Sequence, residues 1–168
     1  MVYQVGMDSY ICSGGLINTD NTFEPYFLTA NHCLSTQVVA DSLECFWDFK
    51  TSGCNVGFHE YASTAGAPRT LGARLLATNA VTDFTFLLLN GPLPADRWFY
   101  GWTTAQPSHG QTLYRVSHPQ GAPQSFSTQT IIGSPDITCT GLPAVNFTYS
   151  DRDIGSTEGG SSGSPVVN

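Results

Sequence analysis

The chain has 168 residues, room for one large domain or two small ones. Charged residues make up only 11% of it, against about 25% in an average soluble protein, and the formal net charge is −7. One lysine, Lys50, and a few scattered arginines cannot build the basic surface that nucleic acid requires, and no run of about 18 apolar residues is present to span a membrane.

Gly, Ser, Thr and Asn take the place of the missing charges, a mix that suits short strands and turns. Met1 leads directly into strand-like sequence, so any leader is expected to be removed or to lie outside these residues. After a polar break at Asn18-Thr19-Asp20-Asn21, residues 26–30 form a short apolar strand. Residues 43–49 read as an aromatic-rich strand, followed by a break at Ala65-Gly66-Ala67-Pro68. In residues 84–89, Phe84, Phe86 and Leu88 alternate with Thr85, Leu87 and Leu89, a strand expected to be buried on both faces or nearly so. Asn90-Gly91-Pro92-Leu93-Pro94 is the candidate linker, dividing the chain into 1–90 and 91–168. Strands are expected at 112–117 and 125–132, separated by Pro119-Gln120-Gly121 and closed by Gly133-Ser134-Pro135. No amphipathic helix of three turns is legible, so the fold class is all-β, a sandwich or barrel. Asn146-Phe147-Thr148 matches a glycosylation sequon, a motif short enough to arise by chance.

Five cysteines, Cys12, Cys33, Cys45, Cys54 and Cys139, include no C-x-x-C pair that would suggest zinc or a redox motif. Disulfides in an oxidising compartment are the expectation, with one cysteine left over by the odd count.

Three stretches carry chemistry. Gly160-Ser161-Ser162-Gly163-Ser164-Pro165 is a small-residue turn able to push a serine hydroxyl into a cleft. Serine is a poor nucleophile without a base in hydrogen-bond reach, and that base needs a carboxylate to fix its tautomer. His32, at the end of Phe27-Leu28-Thr29-Ala30-Asn31-His32-Cys33, is the candidate base. Asp83 heads the most apolar strand, where a carboxylate is costly without a partner, and is the candidate orienting group. Ser162 is the candidate nucleophile. The N–H groups of Gly160 and Ser162 are the candidate oxyanion donors, with Gly163 letting backbone and substrate approach closely. His59 and His109 sit in polar loops, and His118 precedes Pro119 at a turn.

In these residues the chain resembles the trypsin-like, chymotrypsin-fold serine proteases. It is most similar to bacterial secreted lysyl endopeptidases of the Achromobacter/Lysobacter type, through Cys12 to Cys33, Asp83 to Leu87 and Thr157 to Pro165. The resemblance implies two six-stranded antiparallel Greek-key barrels, the first carrying His32 and Asp83 and the second, incomplete, carrying Ser162. It implies a His32–Asp83–Ser162 triad, an oxyanion hole at Gly160 and Ser162, a Cys12–Cys33 disulfide, and no metal or cofactor. It also implies polypeptide substrates, secretion from a bacterium, and a monomer when full length. Cys54 corresponds to a cysteine that pairs with an N-terminal extension. Cys45 and Cys139 have no counterpart, and a Cys45–Cys54 bridge stays open.

Ser161 stands where the digestive proteases carry an Asp that pairs with a freed amine, so activation by N-terminal insertion is not expected. By comparison with the family's size, further strands are expected after Asn168, and the 168 residues alone are not expected to be a competent protease. Cleavage after lysine is implied by the closer resemblance, although the segment that would hold the acidic specificity residue is not in the sequence. Two other functions compete with this one: a secreted, non-catalytic β-barrel binding module derived from the protease fold, and a metal-dependent hydrolase using His32, His59 or His118, for which ligand spacing is lacking.

Overall fold

The computed structural model describes residues 1–20, 23–55, 67–133 and 142–168. The break at residues 65–66, His59 and Cys139 lie outside the described residues. The architecture is nearly all β. Twelve strands form three four-stranded sheets, and none of their ladders closes on itself among the described residues.

The first sheet has the order β2-β1-β5-β6, built from β1 (Val2–Val5), β2 (Asp8–Ile11), β5 (Glu44–Phe46) and β6 (Arg69–Leu71). The second has the order β3-β4-β8-β7, from β3 (Gly15–Leu16), β4 (Tyr26–Thr29), β7 (Ala73–Asn79) and β8 (Phe84–Leu89). β6 and β7 belong to different sheets and meet at Gly72, whose N–H donates to the Leu43 carbonyl while its own carbonyl accepts from Asn90 N–H. The corner folds the two sheets over one shared core. Tyr3, Leu16, Phe27, Leu34, Leu43, Leu87 and Leu89 fill it, with Ala40 of the single short helix α1 (Gln37–Asp41) sealing one end. Thr36 caps that helix by accepting from Val39 N–H.

The third sheet, order β11-β10-β9-β12, comprises β9 (Thr112–Ser117), β10 (Ser125–Ile131), β11 (Ser150–Ile154) and β12 (Val166–Val167). Its apolar core is thin: Leu113 and Ile131 are buried, alongside Ser117, Ser127 and Thr128. Residues after the 90–94 break return to the first half. Leu93 and Phe99 pack against its core, and Tyr100 bridges to Ile17, donating its N–H to the Leu16 carbonyl.

Two strand expectations need correction. The strand at 84–89 is fully buried on one face only: Thr85, Leu87 and Leu89 are buried, Phe86 and Leu88 are half-buried, and Phe84 is exposed. Its second face is covered locally, by rings such as Tyr26 stacked on Phe86 at 5.2 Å, rather than by a second core. The strand at 43–49 stops at Phe46, because Asp48 takes a left-handed conformation (φ 57°) and pairs with Arg97 at 2.8 Å.

Cys12 and Cys33 form a disulfide across 21 residues. Cys45 and Cys54 are unbridged, one buried in the core and one exposed. Burial pushes the Cys45 thiol up to about 12, so it stays a thiol at any ordinary pH. Iodoacetamide at pH 8 is therefore expected to label Cys54 and spare Cys45 in the folded chain, and to label both in urea, as read by peptide mass mapping.

Candidate active site

The β4–β8 ladder runs antiparallel with Thr29 opposite Thr85. The residues just after β4 and just before β8 are therefore neighbours, and these are the segments holding His32 and Asp83. Asp83 sits at φ 53°, a left-handed turn that returns its carboxylate toward the His32 loop. One carboxylate oxygen, Oδ1, accepts from the His32 backbone N–H at 2.8 Å. The other, Oδ2, lies 2.7 Å from His32 Nδ1. Asn31 N–H completes the clamp by donating to the Asp83 carbonyl at 3.2 Å. With Nδ1–H donating to the carboxylate, Nε2 carries the free lone pair. The imidazole is open to solvent, its side chain 57% exposed, while the Asp83 side chain is 23% exposed.

A hydroxyl network underlies this pair. Asn31 Nδ2 donates to Thr78 Oγ1 at 2.7 Å, Thr78 and Thr85 share a hydrogen bond of 2.6 Å, and Thr85 Oγ1 donates to the Leu34 carbonyl. The loop is thus held on both sides of His32.

The serine turn reaches the same region through Ser13, which is buried. Ser13 N–H donates to the Ser162 carbonyl at 2.8 Å, and its hydroxyl donates to the Gly160 carbonyl at 2.8 Å while accepting from His118 N–H. Thr29 Oγ1, three residues before His32, donates to the Ser13 carbonyl at 2.8 Å. The disulfide joins the neighbours of these residues, Cys12 and Cys33. Ser162 is half-buried. No hydrogen bond joins its hydroxyl to His32 among the described residues, so the structure pairs His32 with Asp83 directly and brings Ser162 alongside through the backbone.

Gly163 also permits a close approach within the chain. At φ 79°, its missing Cβ would fall 2.6 Å from the Ser13 carbonyl oxygen and 2.8 Å from Ala30 N, at the end of the His32-bearing strand.

Within the turn, two peptide units are fixed by their carbonyls. Gly159 C=O accepts from Gln120 N–H. Ser161 C=O accepts from both Ser164 N–H at 3.2 Å and Ser164 Oγ at 2.7 Å. A trans peptide points its N–H opposite its carbonyl, so the N–H groups of Gly160 and Ser162 face away from these anchors. Neither has an acceptor among the described residues. Unpaired backbone donors of this kind are free to bind an anionic oxygen. The side chain of Ser161 points inward and is held by Ser117 Oγ at 3.0 Å, a neutral buried link.

Ser13, Ser117, Gln120 and Ser164 carry no signature readable in the sequence, because each acts through contacts made only by the fold. His118 is half-buried, stacked on Phe49 at 5.8 Å, with Nδ1–H donating to the Ala122 carbonyl at 3.0 Å. Burial lowers its pKa below the ordinary 6.5. His109 is exposed and packs beside Gly133, apart from this cluster. The one grouping of metal-ligand side chains among the described residues is Cys12, His32 and Cys33, and its two sulfurs are consumed by the disulfide.

A family model described as the lysyl endopeptidase C-terminal domain matches residues 1–168. The chain belongs to this lysyl endopeptidase family. A lysyl endopeptidase from Pseudomonas aeruginosa is 32% identical over 173 residues, covering 99% of this chain and 36% of that protein. A secreted RxLR effector protein from Plasmopara viticola is 26% identical over 163 residues, covering 95% and 38%. The chain thus spans little more than a third of the length of the curated relatives it matches. Among solved structures, a serine endoprotease from Yersinia pestis aligns with a TM-score of 0.60 at 17% identity, covering 99% of this chain and 48% of that one. A protease from M. tuberculosis aligns at 0.54 and 17%, covering 99% and 63%. These structures give the family member a trypsin-like serine protease fold.

Two outcomes follow for the site. Gly163→Ala is expected to cost about 3 kcal/mol in urea unfolding, from left-handed backbone strain and from overpacking against Ser13 and Ala30. Because His118 has a lowered pKa in the folded chain, the unfolded chain binds more protons as pH falls below 6.5. Stability is therefore full above that value and is lost as pH falls through the folded pKa. His118→Gln is expected to flatten that part of the stability–pH curve, measured by urea midpoints from pH 7 to 4.

Proposed function

We propose that this chain is the core of a secreted serine endopeptidase that hydrolyses polypeptides through an acyl-enzyme. The observation that carries the reading is the two-point grip of the Asp83 carboxylate on His32, at 2.8 Å to the backbone N–H and 2.7 Å to Nδ1. A carboxylate committed to both atoms fixes ring orientation and tautomer together, which is what a histidine base requires.

In this mechanism Ser162 Oγ attacks the scissile carbonyl and His32 Nε2 takes its proton. Asp83 stabilises the imidazolium, and the carbonyl oxygen, now negative, is received by the N–H groups of Gly160 and Ser162. His32 then returns the proton to the leaving amine. A water, deprotonated by the same nitrogen, releases the acyl group from Ser162. No cofactor takes part. Cleavage after lysine is the preference named in the Pseudomonas relative and is adopted here as the starting specificity. The protein is proposed to act as a monomer outside a bacterial cell.

A second reading, a non-catalytic secreted module on the protease fold, draws on the relative named as a secreted effector.

One experiment separates the two, run on the protein at its full encoded length. A fluorophosphonate probe is expected to label Ser162 and to lose that label in Ser162→Ala. Asp83→Asn is expected to lower turnover of a peptide substrate by about 10⁴ with folding intact by circular dichroism. A folded wild type that takes no label points to the binding module.

A further inference from the structure

The buried face of the third sheet mixes polar residues with apolar ones. Along β9, Leu113, Arg115 and Ser117 alternate with Thr112, Tyr114 and Val116. Ser127 of β10 stands directly opposite Arg115, and residues paired in this way present their side chains on the same face. That face is the sheet's inner one: it holds the buried Leu113 and Ile131 together with the buried serines Ser117 and Ser127. The other face carries Tyr114 and Phe126, stacked at 6.2 Å and both exposed. An antiparallel sheet with one solvated face normally puts apolar residues inside and polar ones out.

Two polar atoms on this inner face are buried with no hydrogen-bond partner: Arg115 Nε and Ser127 Oγ. Arg115 also makes none of the ion pairs among the described residues, nor does Arg152, which stands opposite Gln129 on the neighbouring strand. Burial works against the Arg115 charge, but a guanidinium keeps its proton in proteins. A buried guanidinium nitrogen without a partner is unfavourable, and a guanidinium fork is matched best by a carboxylate. An unpaired cation next to an unpaired hydroxyl, in a chain of net charge −7, therefore describes a receptor for an anion.

Its location ties it to the serine turn. Ser117, two residues along the same face, holds Ser161. Val166, four residues past Ser162, pairs with Arg115 in the β12–β9 register.

We propose that Arg115 and Ser127 form a carboxylate-binding seat beside the nucleophile turn. The carboxylate belongs either to an acidic side chain of a bound polypeptide or to the polypeptide of the full-length protein itself. The first source rests on the endopeptidase reading; the seat does not.

The test uses the full-length protein with Arg115→Met, Arg115→Lys and Ser127→Ala. Two measurements are made: melting temperature, and cleavage of peptide pairs differing only by Glu or Gln at each position around the scissile bond. If substrate supplies the carboxylate, Arg115→Met loses about tenfold in its Glu-over-Gln ratio with melting unchanged, and Ser127→Ala loses less. If the protein supplies it, Arg115→Met leaves a buried carboxylate unpaired and melts several degrees lower, Arg115→Lys recovers part of the loss, and peptide preference is unchanged. An Arg115→Met protein that melts at the same or a higher temperature, with the same peptide preference, overturns the seat. If Arg115→Met does not fold, a folded Arg115→Lys supports a charge partner, and failure of both overturns it. Absence of fluorophosphonate labelling would remove the endopeptidase reading while leaving the melting comparison to decide the seat.

Discussion

Thr29 and Thr85 face each other across the β4–β8 ladder, and the geometry at His32 follows from that register. Antiparallel pairing makes the exit of one strand and the entrance of the other adjacent, so two residues 51 positions apart need only short turns to meet. A shift by one residue would invert the faces of β8 and move Leu87 and Leu89 out of the core, so core burial holds the register. The hydrophobic core thereby acts on the site through strand register.

The serine turn is positioned by polar contacts instead. Ser13 is the junction: its N–H, hydroxyl and carbonyl reach Ser162, Gly160 and Thr29 respectively. Each of these bonds is modest, about 1 kcal/mol net, but they are buried and share one residue. Removing the hydroxyl of Ser13 would leave the Gly160 carbonyl and His118 N–H without a partner together. The two halves of the site thus differ in kind, one set by strand register and the other by a buried hydrogen-bond cluster.

What the sequence made legible follows the same division. Residues 84–89 and 112–117 were readable as strands because alternation and β-branched or aromatic residues mark them, and both match β8 and β9. His32 and Asp83 were legible because each sits at the end of such a strand. The strands around Ser150–Ile154 and Ala73–Asn79 gave no comparable signal, since much of each is exposed and polar. Gly163 was recognisable as a necessary glycine, but its contacts with Ser13 and Ala30 form only once the chain is folded. The Ser161–Ser117 link and the Ser164 anchor were unreadable for the same cause, as was the placing of Arg115 opposite Ser127.

The disulfide has one more consequence. It fastens the residue beside His32 to the residue beside Ser13, so a single covalent latch spans the His32 loop and the support of the serine turn. Such a latch closes only where thiols are oxidised. Where thiols are kept reduced, the two parts keep their hydrogen bonds and the core packing of Cys12 and Cys33 but lose the covalent link. Oxidation would then tighten the assembly, and a reducing environment would meet the looser form.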